Sequence, residues 1–211
     1  MLLTGFEPFG GEPVNPSWQV AQALQGRRIG GLRIQAVQLP CVFGQALQAL
    51  DAALAGSAPQ IVLALGQAGG RVDLSLERVA INVDDARMAD NIGAQPIDEP
   101  VQPDGPAAYF STLPIKAMVA AMRAAGLPAS VSQTAGTFVC NHVFYGLMHR
   151  LRSHPGVRGG FMHLPLLPEQ AARLGGVASL PLATMVKGVQ IALEAALTTT
   201  ADLRMGGGAD H

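Results

Sequence analysis

The stretch IVLALG, residues 61–66, places five apolar side chains in a row and stops at a glycine. A continuous apolar run of this length is typical of a strand that is buried on both faces, as in a parallel sheet. Further apolar runs at 2–4, 32–39 and 159–164 alternate along the chain with segments of helical period. Strands that alternate with helices predict an α/β fold, with helices on both faces of an open, largely parallel sheet.

The helical segments begin with Asn15-Pro16, because Asn is a good N-cap and Pro suits the first helical position. Apolar residues from Phe43 to Leu54 follow a helical spacing, and so do those of 114–125, 140–151 and 184–197. Residues 69–91 are more polar and contain alternating stretches, which indicate strands and loops without a defined register.

The composition limits the function classes. The 211 residues are 49% hydrophobic and only 14% charged, which excludes intrinsic disorder and favours a single domain over 1–211. A net charge of -1 with no basic run excludes a nucleic-acid binder of the usual kind. No apolar stretch approaches the roughly 18 residues of a membrane span. The glycine-rich tail, 204–211, is expected to be disordered.

Two cysteines, Cys41 and Cys140, allow one disulfide at most, and neither stands in a CxxC or Cys/His metal spacing. The first residues lack the basic and apolar regions of a signal peptide. We therefore expect a cytoplasmic protein with reduced thiols.

Cys140 is the candidate nucleophile. It follows a strand and a glycine-containing loop and stands at the start of a helix, where an anion is stabilised and the pKa of a thiol is expected to fall. From position alone the favoured interpretation is a small buried apolar residue, as most cysteines are. Cys41, beside Pro40, has no comparable loop, and we expect it to be such a buried residue.

A reactive thiol needs a base and a group that orients the base. His163 ends an apolar strand and is the candidate base, whereas His142 and His149 are expected to be surface or packing residues. Glu77 is a candidate for the orienting group. It could instead form an ion pair with Arg71 or Arg78, and three aspartates compete with it: Asp73, Asp84 and Asp85.

Two glycine-rich loops follow predicted strands, at 5–11 and at 66–71, and neither has a nucleotide-binding spacing. Phe6 and Phe9 flank Glu7-Pro8 in the first loop. They could form an apolar slot for a flat ligand, or they could fill the core.

Taken together, these segments resemble the pyroglutamyl peptidase type I family, also called pyrrolidone-carboxylate peptidases. The resemblance runs from residue 4 to residue 170 in the family's order, and the segment around Cys140 is the most specific. The matching stretches are TGFEPFGGEPVNPSW (4–18), GQAGGR (66–71), LERVAIN (76–82), ARMADN (86–91), GPAAYFSTLP (105–114), TAGTFVCNHVFYGLMH (134–149) and GGFMHLPLLPEQ (159–170).

The resemblance implies a three-layer α/β/α sandwich around a twisted sheet, and removal of an N-terminal pyroglutamyl residue from peptides. It implies Glu77, Cys140 and His163 as the catalytic residues. It also implies a set of substrate-binding residues: Phe6 and Phe9 for the ring, Phe138 and Val139 near it, and Gln67 and Arg87 beside the reacting centre. It further implies a homodimer or homotetramer that needs no metal or organic cofactor.

Two other classes compete with this reading. One is a non-catalytic or phosphorylase-like α/β protein whose glycine-rich loops hold a small phosphorylated ligand. The other is a thiol redox protein, which the lack of a CxxC partner disfavours.

Overall fold

The computed structural model describes residues 1–208, and its centre is a six-stranded sheet. Ten strands are present in chain order: β1 (Leu2–Phe6), β2 (Arg28–Ile29), β3 (Leu32–Arg33), β4 (Gln35–Leu39), β5 (Ile61–Gln67), β6 (Leu74–Glu77), β7 (Val79–Ile81), β8 (Ala108–Phe110), β9 (Ala129–Ser132) and β10 (Arg158–Leu164). The helices are α1 (Pro16–Leu24), α2 (Gln45–Ser57), α3 (Ile115–Ala124), α4 (Val139–Leu151), α5 (Pro168–Arg173) and α6 (Leu182–Thr198).

The strand order in the main sheet is β4-β1-β5-β10-β6-β9, while β2 with β3 and β7 with β8 form two small antiparallel ribbons. Every neighbouring pair in the main sheet is parallel except β10 with β6. The largely parallel sheet is thus confirmed, and β5, the stretch that opened the sequence analysis, lies near its middle.

Helices cover both faces of the sheet, which confirms the three-layer sandwich. Successive strand residues point to opposite faces. Leu3 and Leu63 join the core under α1, α3 and α6, whereas Leu2 and Val62 join the core under α2 and α4. Full burial of such side chains contributes about 1.5–3 kcal/mol each, so the apolar residues of β5 anchor both layers.

Most helices begin and end close to their predicted limits. Asn15 caps α1 as expected, since its side-chain oxygen accepts a hydrogen bond from the backbone N–H of Ser17 at 3.0 Å. Phe43 was expected on the helix that follows it, but α2 begins only at Gln45 because Gly44 has a positive φ of 71°. Within the described chain, no helix has the length and apolar character needed to cross a membrane.

The chain after α6 has no regular structure as far as Gly208. The carbonyl oxygen of Gly207 accepts hydrogen bonds from Arg78 at 2.9 Å and from Gln133 at 3.1 Å. Residues 209–211, the last part of the tail expected to be disordered, lie outside the described residues.

Candidate active site

Cys140 is the second residue of α4, at the end of the loop that leaves β9. The preceding cap residue, Phe138, offers no side-chain hydrogen bond to the helix, so the first N–H groups of α4 remain available to an oxygen atom of a ligand. The thiol is free and partly buried. This is the strand–loop–helix position that the sequence indicated.

Gly66, near the end of β5, has no side chain, and the thiol of Cys140 occupies the space that a side chain would fill. A Cβ placed on Gly66 would lie 2.8 Å from Sγ of Cys140 and 2.7 Å from the ring of Phe161. Gly66 is also the register partner of His163 on β10. Cys140 of α4 and His163 therefore both lie next to Gly66, at the carboxyl ends of the adjacent parallel strands β5 and β10, where sites of α/β proteins gather.

His163 is paired with Glu77. Its Nδ1 lies 2.7 Å from Oε1 of Glu77, and both side chains are buried, at 4% and 0% exposure. Because an ionised carboxylate only accepts, Nδ1–H donates and Nε2 keeps a lone pair. Such an arrangement can supply a base whose ring is oriented by a carboxylate.

The same oxygen of Glu77 also accepts a hydrogen bond from Nη2 of Arg71 at 3.1 Å. Glu77 thus makes both contacts that the sequence left open, one with the candidate base His163 and one with Arg71. Arg78, the other candidate partner, instead donates to Gln133 and Gly207.

Two of the three competing aspartates bond elsewhere, and the third, Asp85, is exposed. Asp73 accepts from Ser75, and Oδ2 of Asp84 lies 2.7 Å from Nδ1 of His142. His142 is buried, at 6% exposure, and its Nε2 accepts from the backbone N–H of Gly44. Sequence reasoning assigned His142 no contact, and the residues that it joins are 58 and 98 positions away along the chain.

The pKa of the Cys140 thiol is raised above its ordinary value, which is opposite to the direction expected from its helix position. Burial is the main cause, Cys41 and Glu77 raise the pKa further, and Arg71 lowers it. Burial therefore disfavours the thiolate in the free protein, so a base that accepts the proton would assist the reaction of this thiol with an acyl group.

Three aromatic rings form a continuous cluster beside α4. Phe9 packs on Phe138 with ring centroids 6.2 Å apart, and Phe43 meets Phe138 edge-on at 5.4 Å. Phe9 and Phe138 are partly exposed, whereas Phe6 and Val139 are buried in the core under α2 and α4. Phe43 is a member of this cluster that the sequence analysis did not identify, because its spacing suggested a helical position.

Gln67 and Arg87 differ in how firmly they are held. Oε1 of Gln67 accepts a hydrogen bond from Nε2 of the buried Gln170 at 3.1 Å, which leaves the NH₂ group of Gln67 free to donate. Arg87 is exposed, and its side chain makes no hydrogen bond to any residue in 1–208. Over the same range, no group of three or more His, Cys, Asp or Glu side chains is arranged to hold a metal ion.

Comparison with known proteins shows which family the chain belongs to. The family model described as pyroglutamyl peptidase matches residues 1–199. The pyrrolidone-carboxylate peptidase of Cupriavidus taiwanensis is 65% identical over 100% of this chain and 99% of its own length, and that of Escherichia fergusonii is 59% identical with the same coverage.

Solved structures agree with these sequence relatives. The crystal structure of pyroglutamyl peptidase I from Bacillus amyloliquefaciens matches with a TM-score of 0.95 and 48% identity, over 97% of this chain and 98% of that one. A mutant pyrrolidone carboxyl peptidase from Pyrococcus furiosus matches with a TM-score of 0.91 and 40% identity, over 93% and 97%. The family resemblance seen in the sequence is confirmed: the chain belongs to the pyroglutamyl peptidase family of cysteine peptidases.

Proposed function

We propose that this protein removes the N-terminal pyroglutamyl residue from peptides by thiol acyl transfer, with Cys140 as nucleophile, His163 as base and Glu77 as the group that orients it. The observation that carries the proposal is the meeting of Cys140 and the His163–Glu77 pair around Gly66. Membership of the family supports the activity, and the geometry supports the roles.

In the first half of the reaction, Nε2 of His163 takes the proton of Cys140 as Sγ attacks the pyroglutamyl carbonyl carbon. The raised pKa of the thiol favours proton transfer during the attack over a standing thiolate. The backbone N–H of Cys140 at the start of α4, together with Arg87, stabilises the oxyanion. The C–N bond then breaks, and His163 gives the proton to the leaving amine.

In the second half, water attacks the thioester while His163 accepts its proton. Pyroglutamate leaves, and the proton returns to Sγ. Throughout, the carboxylate of Glu77 stabilises the imidazolium that forms transiently at His163. No step requires a metal or an organic cofactor.

The aromatic cluster suits the ring of the substrate. Pyroglutamate is a lactam without an ammonium group, so its pocket needs apolar faces and a few hydrogen-bond partners rather than a carboxylate. We assign the faces to Phe9 and Phe138, supported from the core by Phe6 and Val139, and a donor to the free NH₂ group of Gln67. The glycine-rich loop at 66–71 directs its cation, Arg71, to Glu77, which does not favour a phosphorylated ligand.

The activity is tested with a chromogenic pyroglutamyl amide and the matched prolyl amide. We expect the pyroglutamyl amide to be cleaved. The prolyl amide should react roughly 10⁴-fold less efficiently in kcat/KM, because it leaves a buried polar group unpaired and brings in a charge. Cleavage of the two amides within tenfold of each other would contradict the lactam pocket.

The nucleophile is tested in the same assay. Cys140→Ser should lower kcat by about 10³-fold or more while the protein stays folded. Cys41→Ser is the matched control and should retain most of the activity. If Cys41→Ser abolished turnover and Cys140→Ser did not, the wrong thiol would have been assigned.

We further propose that the protein acts in the cytoplasm as a homodimer or homotetramer. The family resemblance supports the assembly, and two cysteines that form no disulfide with each other fit a reducing compartment. Light scattering after size exclusion measures the mass of the assembly, and a monomer at micromolar concentration would contradict it.

A further inference from the structure

Arg71 joins two parts of the proposed site that are far apart in sequence. It lies in the loop between β5 and β6, and its Nη2 donates to Oε1 of Glu77 at 3.1 Å and to the carbonyl oxygen of Thr134 at 3.0 Å. Thr134 belongs to the loop between β9 and α4, which leads to Cys140. One guanidinium group therefore contacts both the acid and the segment that carries the nucleophile.

The burial of Glu77 shows why a cation is needed there. The side chain is 0% exposed, and Oε2 has no hydrogen-bond partner in the described chain. An ionised carboxylate in such surroundings is costly unless a charged partner compensates it. Neutral His163 supplies a hydrogen bond but no charge, whereas Arg71 supplies both and remains 28% exposed.

We propose that Arg71 is a positioning residue for the peptidase reaction, one that compensates the buried carboxylate of Glu77 and holds it in register with the loop that precedes Cys140. This inference rests on the proposed function, since it assigns Arg71 a role in that same site. Arg71 acts through Glu77 and does not itself touch the substrate.

The charge of Arg71 sets the direction of a pH effect. The titratable and charged groups around the pair of Glu77 and His163 are Arg71 from the β5–β6 loop and Cys140 from α4, while Cys41 from the segment after β4 acts on Cys140. Removal of the neighbouring positive charge makes the pair bind a proton more readily, wherever that proton resides, and a protonated pair cannot act as base.

The test is the pH dependence of kcat/KM in Arg71→Gln, with Arg71→Lys as the conservative variant. In Arg71→Gln we expect the acidic limb of the profile to move to higher pH by about half a unit to one unit, less than for a fully buried charge because Arg71 is partly exposed. We expect kcat to fall by roughly tenfold to a hundredfold with little change in KM, because Arg71 does not contact the substrate. Arg71→Lys keeps the charge and should keep the midpoint, with only part of the loss in kcat.

Arg78→Gln is the matched control. Arg78 follows Glu77 directly in the chain, but its guanidinium group donates to Gln133 and Gly207 and not to Glu77. Its loss should leave the midpoint of the acidic limb unchanged. An equal shift in Arg78→Gln would mean that any arginine near this end of the sheet has the same effect, and would overturn the assignment.

A second measurement does not depend on peptidase activity. In a Cys41→Ser background Cys140 is the only cysteine of the chain, so its alkylation by iodoacetamide can be followed against pH without substrate. Because Arg71 lowers the pKa of this thiol, Arg71→Gln should move the alkylation profile to higher pH, and Arg71→Lys should not. If the wild-type protein fails to cleave pyroglutamyl amides while Arg71→Gln still shifts the alkylation profile, the proposed function is refuted and the coupling between Arg71 and Cys140 stands.

Three results would overturn the inference. The first is an Arg71→Gln variant that is folded by circular dichroism and has unchanged pH profiles in both measurements, which would make the arginine merely structural. The second is a large increase in KM with constant kcat, which would place Arg71 on the substrate. If Arg71→Gln does not fold, Arg71→Lys decides, and a shift of its midpoint by half a unit or more would contradict the role of charge.

Discussion

The lack of a side chain at Gly66 determines whether Cys140 can lie next to His163. A Cβ there would approach the ring of Phe161 to 2.7 Å and Sγ of Cys140 to 2.8 Å, distances at which a neighbour must move. The ring of Phe161 is fully buried and packs against Phe6 and Phe144, so it has little freedom to yield. The thiol would therefore be displaced from its position beside His163.

We predict that Gly66→Ala destabilises the fold by about 1–3 kcal/mol, the usual cost of overpacking a core, and lowers kcat by more than about tenfold. Gly69→Ala, in the loop three residues on, meets nothing within 4 Å and should change neither quantity. Urea unfolding and amide hydrolysis measure the two effects. Full activity in folded Gly66→Ala would show that the thiol does not depend on this space.

The sequence indicated the proposed nucleophile and the proposed base more clearly than the carboxylate that would orient the base. Cys140 and His163 each carry a local signal, namely a helix start after a loop and the end of an apolar strand. The link between His163 and Glu77 spans 86 residues and depends on strand pairing that no local pattern specifies. For the same reason, the His142–Asp84 contact could not be predicted from the residues around either member.

At the scale of elements, the reversed strand β6 explains the depth of the acid. β6 is antiparallel to β10, with Ser75 opposite His163 and Glu77 opposite Phe161. Glu77 therefore lies two register positions further into the sheet than Ser75, the residue opposite His163. Its side chain reaches His163 from that position, where water is excluded. The sequence left residues 69–91 without a register, because four buried residues in a row have the same pattern in parallel and antiparallel strands.

The start of α3 depends on an acid from the far end of the chain. Its cap residue, Pro114, has no side-chain hydrogen bond to give, and the carboxylate of Asp202 accepts from the backbone N–H groups of Lys116 at 3.1 Å and Ala117 at 2.9 Å. A carboxylate at this end also interacts favourably with the helix dipole. Asp202 thus fastens the segment after α6 to α3.

We predict that Asp202→Ala lowers the free energy of unfolding by about 0.5–1 kcal/mol, as loss of a helix cap does, and leaves kcat unchanged. Asp104→Ala removes an exposed acid that caps no helix and serves as the control. Chemical denaturation of both variants gives the comparison. Equal stability of Asp202→Ala and wild type would show that the cap contributes nothing in solution.

At the scale of the whole molecule, a buried thiol and a buried phenol that resist ionisation limit the stability of the fold at alkaline pH. Burial is the main cause that raises the pKa of Cys41 to about 12 and the pKa of Tyr145 to about 12. A pKa raised in the folded state means that the unfolded chain releases the proton first. The stabilisation is complete below the unfolded values, about 8.5 for Cys and about 10 for Tyr, and is lost as the pH rises toward 12.

We predict that the free energy of unfolding falls between pH 9 and pH 11, by up to about 1.4 kcal/mol per pH unit for each such group. Cys41→Ser should make this decline less steep, whatever its effect at pH 7. Unfolding followed by circular dichroism and by the fluorescence of Trp18 provides the data. We propose that the chain is a single domain, so the two signals should change together; a constant stability up to pH 11 would contradict the pH prediction.

The exclusion of water around Cys140 has a consequence for its oxidation. Peroxides attack thiolates faster than thiols, so the burial that raises the pKa of this thiol also slows oxidative damage to it between turnovers. The chemical durability of Cys140 and the need for the proton acceptor proposed at His163 thus have the same physical origin.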